Sequence, residues 1–254
     1  MNIDLNGKNA LVTGAGSGIG KKVAMDLASC GANVVVHYGS NKQGADEAVQ
    51  MIKSYGVKVL AIQADVLKKD EVESLVQQSA DFFGGTIDIL VNNAGGLVKR
   101  TLIEETEEEL WHRIIDLNLT SAFLVTKAVI PFMKKAGGSI VNMTSLAAQN
   151  GGGHGAIPYA TSKAGLMTFS KGLAKELAPF NIRVNNVSPG LIGETSFHDT
   201  FTPNDARKKT VEGLPIQREG VPTDVSGTVV YLASEWSSYI TGETIEINGG
   251  ALMR

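Results

Sequence analysis

Short apolar runs alternate along the chain with longer stretches in which apolar residues recur every three or four positions. The runs are Ala10–Thr13, Asn33–Tyr38, Val57–Ile62, Ile87–Val91, Ser139–Met143, Ile182–Val187 and Thr244–Ile247. Short segments of this kind, rich in Val and Ile, predict strands. The intervening pattern predicts helices over 18–30, 43–55, 69–83, 107–134 and 158–179. Strands alternating with helices imply βαβ units. The expected α/β fold is a doubly wound parallel sheet of about seven strands, with helices on both faces and right-handed crossovers. No linker, low-complexity tract or fixed repeat divides residues 1–254, so one domain is expected. The only long irregular stretch is 189–221, which carries Phe197, Phe201, Pro203 and Pro215. Long loops in compact domains are more often functional than idle, and 190–221 reads as a lid over a site.

Composition narrows the class without naming a chemistry. With 254 residues, 43% apolar and 19% charged, the chain can build a sizeable core. Its 23 basic and 26 acidic residues give a net charge of −3, with no electrostatic drive toward nucleic acid or anionic membrane. One cysteine, Cys30, excludes an intramolecular disulfide and suits a reducing compartment. Within a predicted helix among small and apolar residues, it reads as a packed thiol rather than a reactive one. The first residues, Met1-Asn-Ile-Asp-Leu, show no charged-then-apolar leader, and no run approaches the ~18 apolar residues of a membrane span. A cytoplasmic protein without membrane contact is expected. None of His37, His112, His154 and His198 pairs with a second ligand at metal spacing, so no metal is expected. The acidic run 104–109 reads as a solvated helix start, where acids suit the helix dipole.

Two constellations carry chemistry. Tyr159 and Lys163 are four apart on a predicted helix and so share a face. A phenol titrates near pH ~10, and lowering it to neutrality takes about 4 kcal/mol, part of which a neighbouring cation supplies. Ser145 lies fourteen residues upstream, just past a predicted strand. The second constellation is Thr13-Gly-Ala-Gly-Ser-Gly-Ile-Gly20, placed between the first strand and first helix. Glycines there let backbone approach a phosphate, and the helix N-terminus offers unpaired N–H groups. Its spacing, Gly14-x-x-x-Gly18-x-Gly20, is a variant of the dinucleotide loop, in which Ser17 and Ile19 are also expected to contact the cofactor. The second strand ends His37-Tyr38-Gly39-Ser40-Asn41-Lys42, without the carboxylate that would accept the ribose hydroxyls of NAD. Ser40, Asn41 and Lys42 suit a 2′-phosphate, so NADP(H) is favoured, with NAD(H) the alternative.

Over nearly its whole length the chain resembles the short-chain dehydrogenase/reductase family. The resemblance rests on Thr13-Gly-x-x-x-Gly-x-Gly20, Asp65-Val66, Asn92-Asn-Ala94-Gly95, Asn118, Ser145, Tyr159-x-x-x-Lys163 and Pro189-Gly190, with Gly242, Asn248, Gly249 and Gly250 near the C-terminus. It implies a Rossmann-like fold and an oxidoreductase acting on a ketone or secondary alcohol. In that family pattern Tyr159 exchanges the proton, and Lys163 lowers the Tyr159 pKa and holds the nicotinamide ribose. Ser145 binds the substrate oxygen, and Asn118 maintains a water-linked proton path. A helix-bending structural amide is the other reading of Asn118. By the same resemblance Asp65 meets the adenine, Asn92 to Gly95 form a cofactor wall, and Pro189, Gly190 and Ile192 pass beneath the nicotinamide. A homotetramer pairing the helices at 107–134 and 158–179 is expected. In Leu191-Ile-Gly-Glu-Thr195 the threonine stands about one residue further than the pattern places it.

Three functions fit this reading. The first is reduction of a small polar carbonyl compound, such as a keto sugar or a uronate-derived keto acid. Lys99, Arg100, His154 and Arg207-Lys-Lys209 would surround the pocket. The second is 3-oxoacyl-(acyl-carrier-protein) reduction. The third, a catalytically silent dinucleotide binder, has no use for the full Asn118, Ser145, Tyr159 and Lys163 set.

Overall fold

The computed structural model describes residues 3–253; Met1, Asn2 and Arg254 lie outside the described residues. Seven strands form one sheet: β1 (Asn9–Val12), β2 (Asn33–Tyr38), β3 (Val59–Gln63), β4 (Ile89–Asn92), β5 (Gly138–Met143), β6 (Ile182–Pro189) and β7 (Thr244–Ile247). Their order is β3-β2-β1-β4-β5-β6-β7, and every pairing is parallel. Each predicted strand exists, with starts displaced by up to two residues; β3, for instance, opens at Val59 rather than Val57.

Side-chain alternation along the strands explains why both faces are covered. In β1, Ala10 and Val12 enter one core and Leu11 the other; in β4, Ile89 and Val91 oppose Leu90. The first core is completed by α1 (Gly18–Ser29), α2 (Lys42–Lys53) and a late helix, α10 (Pro222–Ala233). The second is completed by α3 (Lys69–Phe83), α5 (Ser121–Met133) and α7 (Ile157–Leu177). Cys30 caps α1 and packs half-buried against the first core, as a structural thiol would.

The predicted helix over 107–134 is α4 (Glu108–Ile115) and α5 joined by a π-helical turn, Asp116–Thr120. Such turns insert one residue into the helical repeat and are common at functional sites. The continuous stretch Glu108–Met133 is, by length and composition, apolar enough to cross a membrane, which amends the expectation that no such run exists. Its apolar residues Ile114, Val125, Val129 and Met133 are buried in the fold, and α5 packs on α3 and β4.

Four helices escaped the sequence pattern. The lid at 190–221 is not irregular: it contains α8 (Ser196–Phe201) and α9 (Asn204–Glu212). A four-residue turn, α6 (Ala147–Asn150), follows Ser145. Beyond the lid, α10 (Pro222–Ala233) starts with proline in its first turn, and the Asp224 carboxylate accepts from the Val221 N–H at 2.8 Å. Proline preset for a helix start and an acid three residues into it are readable signals. The prolines of the region mask them, because they also read as loop.

Candidate active site

The strand order reverses its direction of growth between β1 and β4, and the loops leaving their C-terminal ends must part there. A cleft of about 1190 Å³ opens at that point. One wall is the glycine loop. Gly14 and Gly18 hold φ of +64° and +52°, a region that disfavours side chains. The Ser17 side chain makes no capping bond. The first-turn N–H groups of Gly18, Ile19 and Gly20 are therefore left to an anion in the cleft they line.

The loop is tied down from three sides. The Thr13 hydroxyl accepts from the N–H groups of Asn93 and Ala94, both at 3.0 Å. Asn93 returns its amide to the carbonyls of Thr13 and Gly14 at 2.9 and 3.0 Å. His37 Nδ1 accepts from the Gly14 N–H at 3.1 Å, which leaves Nε2 to donate to the Ala64 carbonyl at 3.0 Å. Burial holds the His37 pKa below its ordinary value, so the ring stays neutral and keeps that tautomer. His37 lines the cleft, but both of its nitrogens serve the protein.

Tyr38, Gly39, Ser40, Asp65, Val66, Ala94, Gly95, Pro189, Gly190 and Ile192 all line the cleft as well. Asn92 does not. Its amide donates inward to Thr126 at 2.9 Å and Asn142 at 2.8 Å, because its parity in β4 directs it into the second core. The neighbouring Asn93 takes the place in the wall that the motif assigned to Asn92. Two further expectations change at the β2 end. Lys42 lies on α2 and pairs with Asp46 at 2.6 Å, outside the cleft. Asn41 is consumed as the α2 cap, accepting from the Gly44 N–H and donating to the Gly16 carbonyl, each at 3.0 Å. Lys68, unremarkable in the sequence, lines the cleft instead, its ammonium paired with Glu71 at 2.9 Å.

At the other end, α7 presents Tyr159 and Lys163 to the tip of β5. The Lys163 ammonium lies 5.8 Å from the Tyr159 ring centroid and donates to the Met143 carbonyl at 2.8 Å. Burial pushes Lys163 down to about 8. Burial also pushes the Tyr159 phenol up to about 12, and a hydrogen bond with Ser145 offsets only part of this. The expected depression of the phenol by its lysine is thus absent from the protein alone. The ammonium is itself desolvated, and its hydrogen bond goes to backbone.

Asn118 sits in the π turn, 1% exposed. Its amide donates to the carbonyls of Gly96 and Ile114, and its oxygen accepts from the Gly96 N–H. It joins Lys163 around Gly95, where an added Cβ would lie 2.6 Å from Asn118 Oδ1 and 3.1 Å from Lys163 Nζ. Only glycine fits between them. Above this floor, the α8 residue Phe197 lays its ring 5.6 Å from that of Tyr159. Thr195, one residue later than the family pattern, caps α8 and lines the cleft, with its hydroxyl donating to the Ile192 carbonyl at 2.8 Å.

The basic residues expected at the mouth divide. Arg100 and His154 line the cleft; Lys99 and Arg207-Lys-Lys209 do not. Arg207 is spent within the lid on Glu219 and Asp199. Arg113, on α4, lines the cleft without having been anticipated. Among the described residues, no cluster suited to a metal occurs.

A glycine-walled phosphate cradle at the sheet's switch point, running to a buried tyrosine–lysine pair, defines an NAD(P)-dependent oxidoreductase. The family model described as enoyl-(acyl carrier protein) reductase matches residues 14–251. The chain belongs to the short-chain dehydrogenase/reductase family. It is 41% identical over 247 residues to 3-oxoacyl-(acyl-carrier-protein) reductase FabG of Staphylococcus epidermidis, an alignment spanning 97% of this chain and 99% of that one. It is 37% identical over 255 residues to glucose 1-dehydrogenase 2 of Bacillus subtilis, spanning 97% and 95%. A crystal structure of a candidate gluconate dehydrogenase from Agrobacterium tumefaciens superposes with a TM-score of 0.92 at 32% identity, covering 100% of both chains.

Proposed function

We propose that this enzyme reduces the ketone of a small anionic carbonyl compound, of the keto sugar acid class, with NADPH, and runs the reverse oxidation. A nicotinamide dinucleotide bound along the glycine loop supplies or accepts the hydride. Tyr159, protonated throughout the neutral range, donates its proton to the substrate oxygen. Ser145 holds that oxygen and the phenol together. Lys163 orients the nicotinamide ribose, and Asn118, fixed by Gly96 and Ile114, sustains the proton path behind it. Asp65 meets the adenine. The preference for NADPH is supported by the missing acid after β2 and by Ser40 and Lys68 at that end of the cleft, the Lys68 ammonium being shared with Glu71 at 2.9 Å.

The observation that carries the substrate class is the distribution of charge. The carboxylates lining the cleft among the described residues are Asp65 and Glu71, both just past β3. The catalytic end is lined by the guanidinium groups of Arg100 and Arg113, with no acid; His198 also lines it, but burial holds its pKa below the ordinary value and it adds no charge. A pocket of one sign concentrates substrate of the other. Gluconate, in the name of one relative, is such an anion, whereas the glucose of another is a neutral sugar. The 41% identity to FabG supports a second reading, 3-oxoacyl thioester reduction, in which the same cations meet an acidic carrier. A homotetramer in the cytoplasm accords with either; light scattering showing a monomer would reject the assembly.

The deciding experiment follows reduced-nicotinamide absorbance with NADPH and NADH against 5-keto-D-gluconate and an acetoacetyl thioester. Faster turnover of the sugar acid with NADPH is expected. Turnover of the thioester alone would transfer the enzyme to acyl chemistry.

A further inference from the structure

We infer that Arg100 determines specificity for a substrate carboxylate, and that the same guanidinium latches the lid across the bound substrate; this rests on the anionic-substrate reading above. Arg100 Nε donates to the Phe201 carbonyl at the end of α8, at 2.9 Å. Its Nη1 donates to the His154 carbonyl at 2.8 Å. One side chain therefore ties the lid to the glycine-rich loop 151–155, both of which line the cleft that holds Tyr159. The loop is shaped to admit it. At Gly155, φ is +71° and an added Cβ would stand 3.2 Å from Arg100 Cβ; at Gly153 it would stand 3.6 Å from Nη1.

Two other arginines show what a purely structural guanidinium looks like here. Arg207 is matched by Glu219 and Asp199. Arg183 gives its donors to the carbonyls of Leu232, Ser234 and Ile240. Arg100 has no carboxylate partner among the described residues, and Nη2 makes no hydrogen bond to them. It is exposed and lines the cleft. The two backbone carbonyls fix the plane of the fork and leave its remaining edge for a carboxylate, the geometry at which arginine outperforms lysine. A carboxylate bound there would strengthen the contact that closes the lid, so binding and closure become one event.

The test compares wild type with Arg100→Met and Arg100→Lys, saturated with NADPH, on 5-keto-D-gluconate and on the uncharged ketose L-sorbose. Arg100→Met should raise KM for the acid on the order of 30–100-fold, the loss of a charge-assisted hydrogen bond, with an effect on L-sorbose at least tenfold smaller. Arg100→Lys should recover part of the acid's affinity but not the wild-type value. Equal losses on both ketones, or an unchanged KM for the acid, would overturn the assignment. A second readout does not need turnover: gluconate should protect the amides of 196–202 from hydrogen exchange in wild type and not in Arg100→Met. Absence of protection in wild type would also overturn it. If wild type instead accepts only the acetoacetyl thioester, the substrate reading fails before any variant is made, and Arg100's role falls with it.

Discussion

The two ends of the cleft are built differently. The dinucleotide end consists of the segments leaving β1, β2, β3 and β4, short after the first three strands and each anchored by its own strand. Thr13, Asn93 and His37 lock these loops to one another through buried hydrogen bonds. The substrate end is assembled from α8, the loop 151–155 and the π turn, segments far apart in the chain. Its contacts across the cleft are aromatic faces and one bridging arginine, while its internal hydrogen bonds run within the lid and around Asn118. The first end is rigid because strand ends cannot move independently of the sheet. The second rests on few contacts that a lid motion could break and remake, which is the usual basis of substrate-dependent closure. The proposed proton transfer lies where the two ends meet, at Tyr159 and Lys163.

The largest effect should come from that seam. Tyr159→Phe should lower kcat about 10³-fold, the contribution of a positioned proton donor, while NADPH binding measured by fluorescence titration stays within twofold. Unchanged turnover would remove Tyr159 from the role. Lys163→Ala should lose both rate and cofactor affinity. Because burial sets the Lys163 pKa at about 8, the ammonium is present below that pH and lost above it. Wild-type NADPH affinity should therefore be constant below pH 8 and weaken above it, whereas the Lys163→Ala titration should show no such break.

Each end then has its own, smaller test. On the rigid side, His37→Leu strands the Gly14 N–H and the Ala64 carbonyl, at a cost of about 1–3 kcal/mol in denaturant unfolding, with weakened binding of either dinucleotide. On the lid side, Phe197→Ala should leave stability and cofactor affinity nearly intact and raise substrate KM several-fold, by roughly the value of one aromatic pair. If Phe197→Ala disturbed cofactor binding as much as His37→Leu does, the contrast between the ends would not hold. The smallest effect distinguishes two lysines: Lys68→Met should weaken NADPH several-fold relative to NADH, and Lys42→Met should leave both unchanged. Isothermal titration of the two cofactors would show a reversal immediately.

Legibility followed the same division. The alternation of valine-rich runs with helical stretches fixes seven strands, and the glycine loop, Ser145, Tyr159 and Lys163 were each found where local pattern places them. Asn92 was misassigned because two adjacent asparagines look alike in sequence. Strand parity sends one into the core and the other to the cleft. Lys42 seemed a phosphate ligand until its helix supplied Asp46 four residues on. The lid helices are short and proline-flanked, and a weak local pattern can become helical when Phe197 and Phe201 find each other and Tyr159. Nothing local marked Arg113 as a lining residue.

The sequence by itself determined the parallel sheet, the glycine loop at its switch point and the pairing of Tyr159 with Lys163. Each depends on residues within a few positions of one another, where backbone geometry converts spacing directly into proximity. Only the tertiary structure decided which asparagine faces the cleft, that burial outweighs the lysine in setting the phenol, and that Arg100 joins the lid to the loop 151–155. Those outcomes depend on solvent exclusion and on contacts across about 50 to 100 residues of chain, as between Arg100 and its partners at His154 and Phe201. Such quantities exist only once the chain has closed on itself.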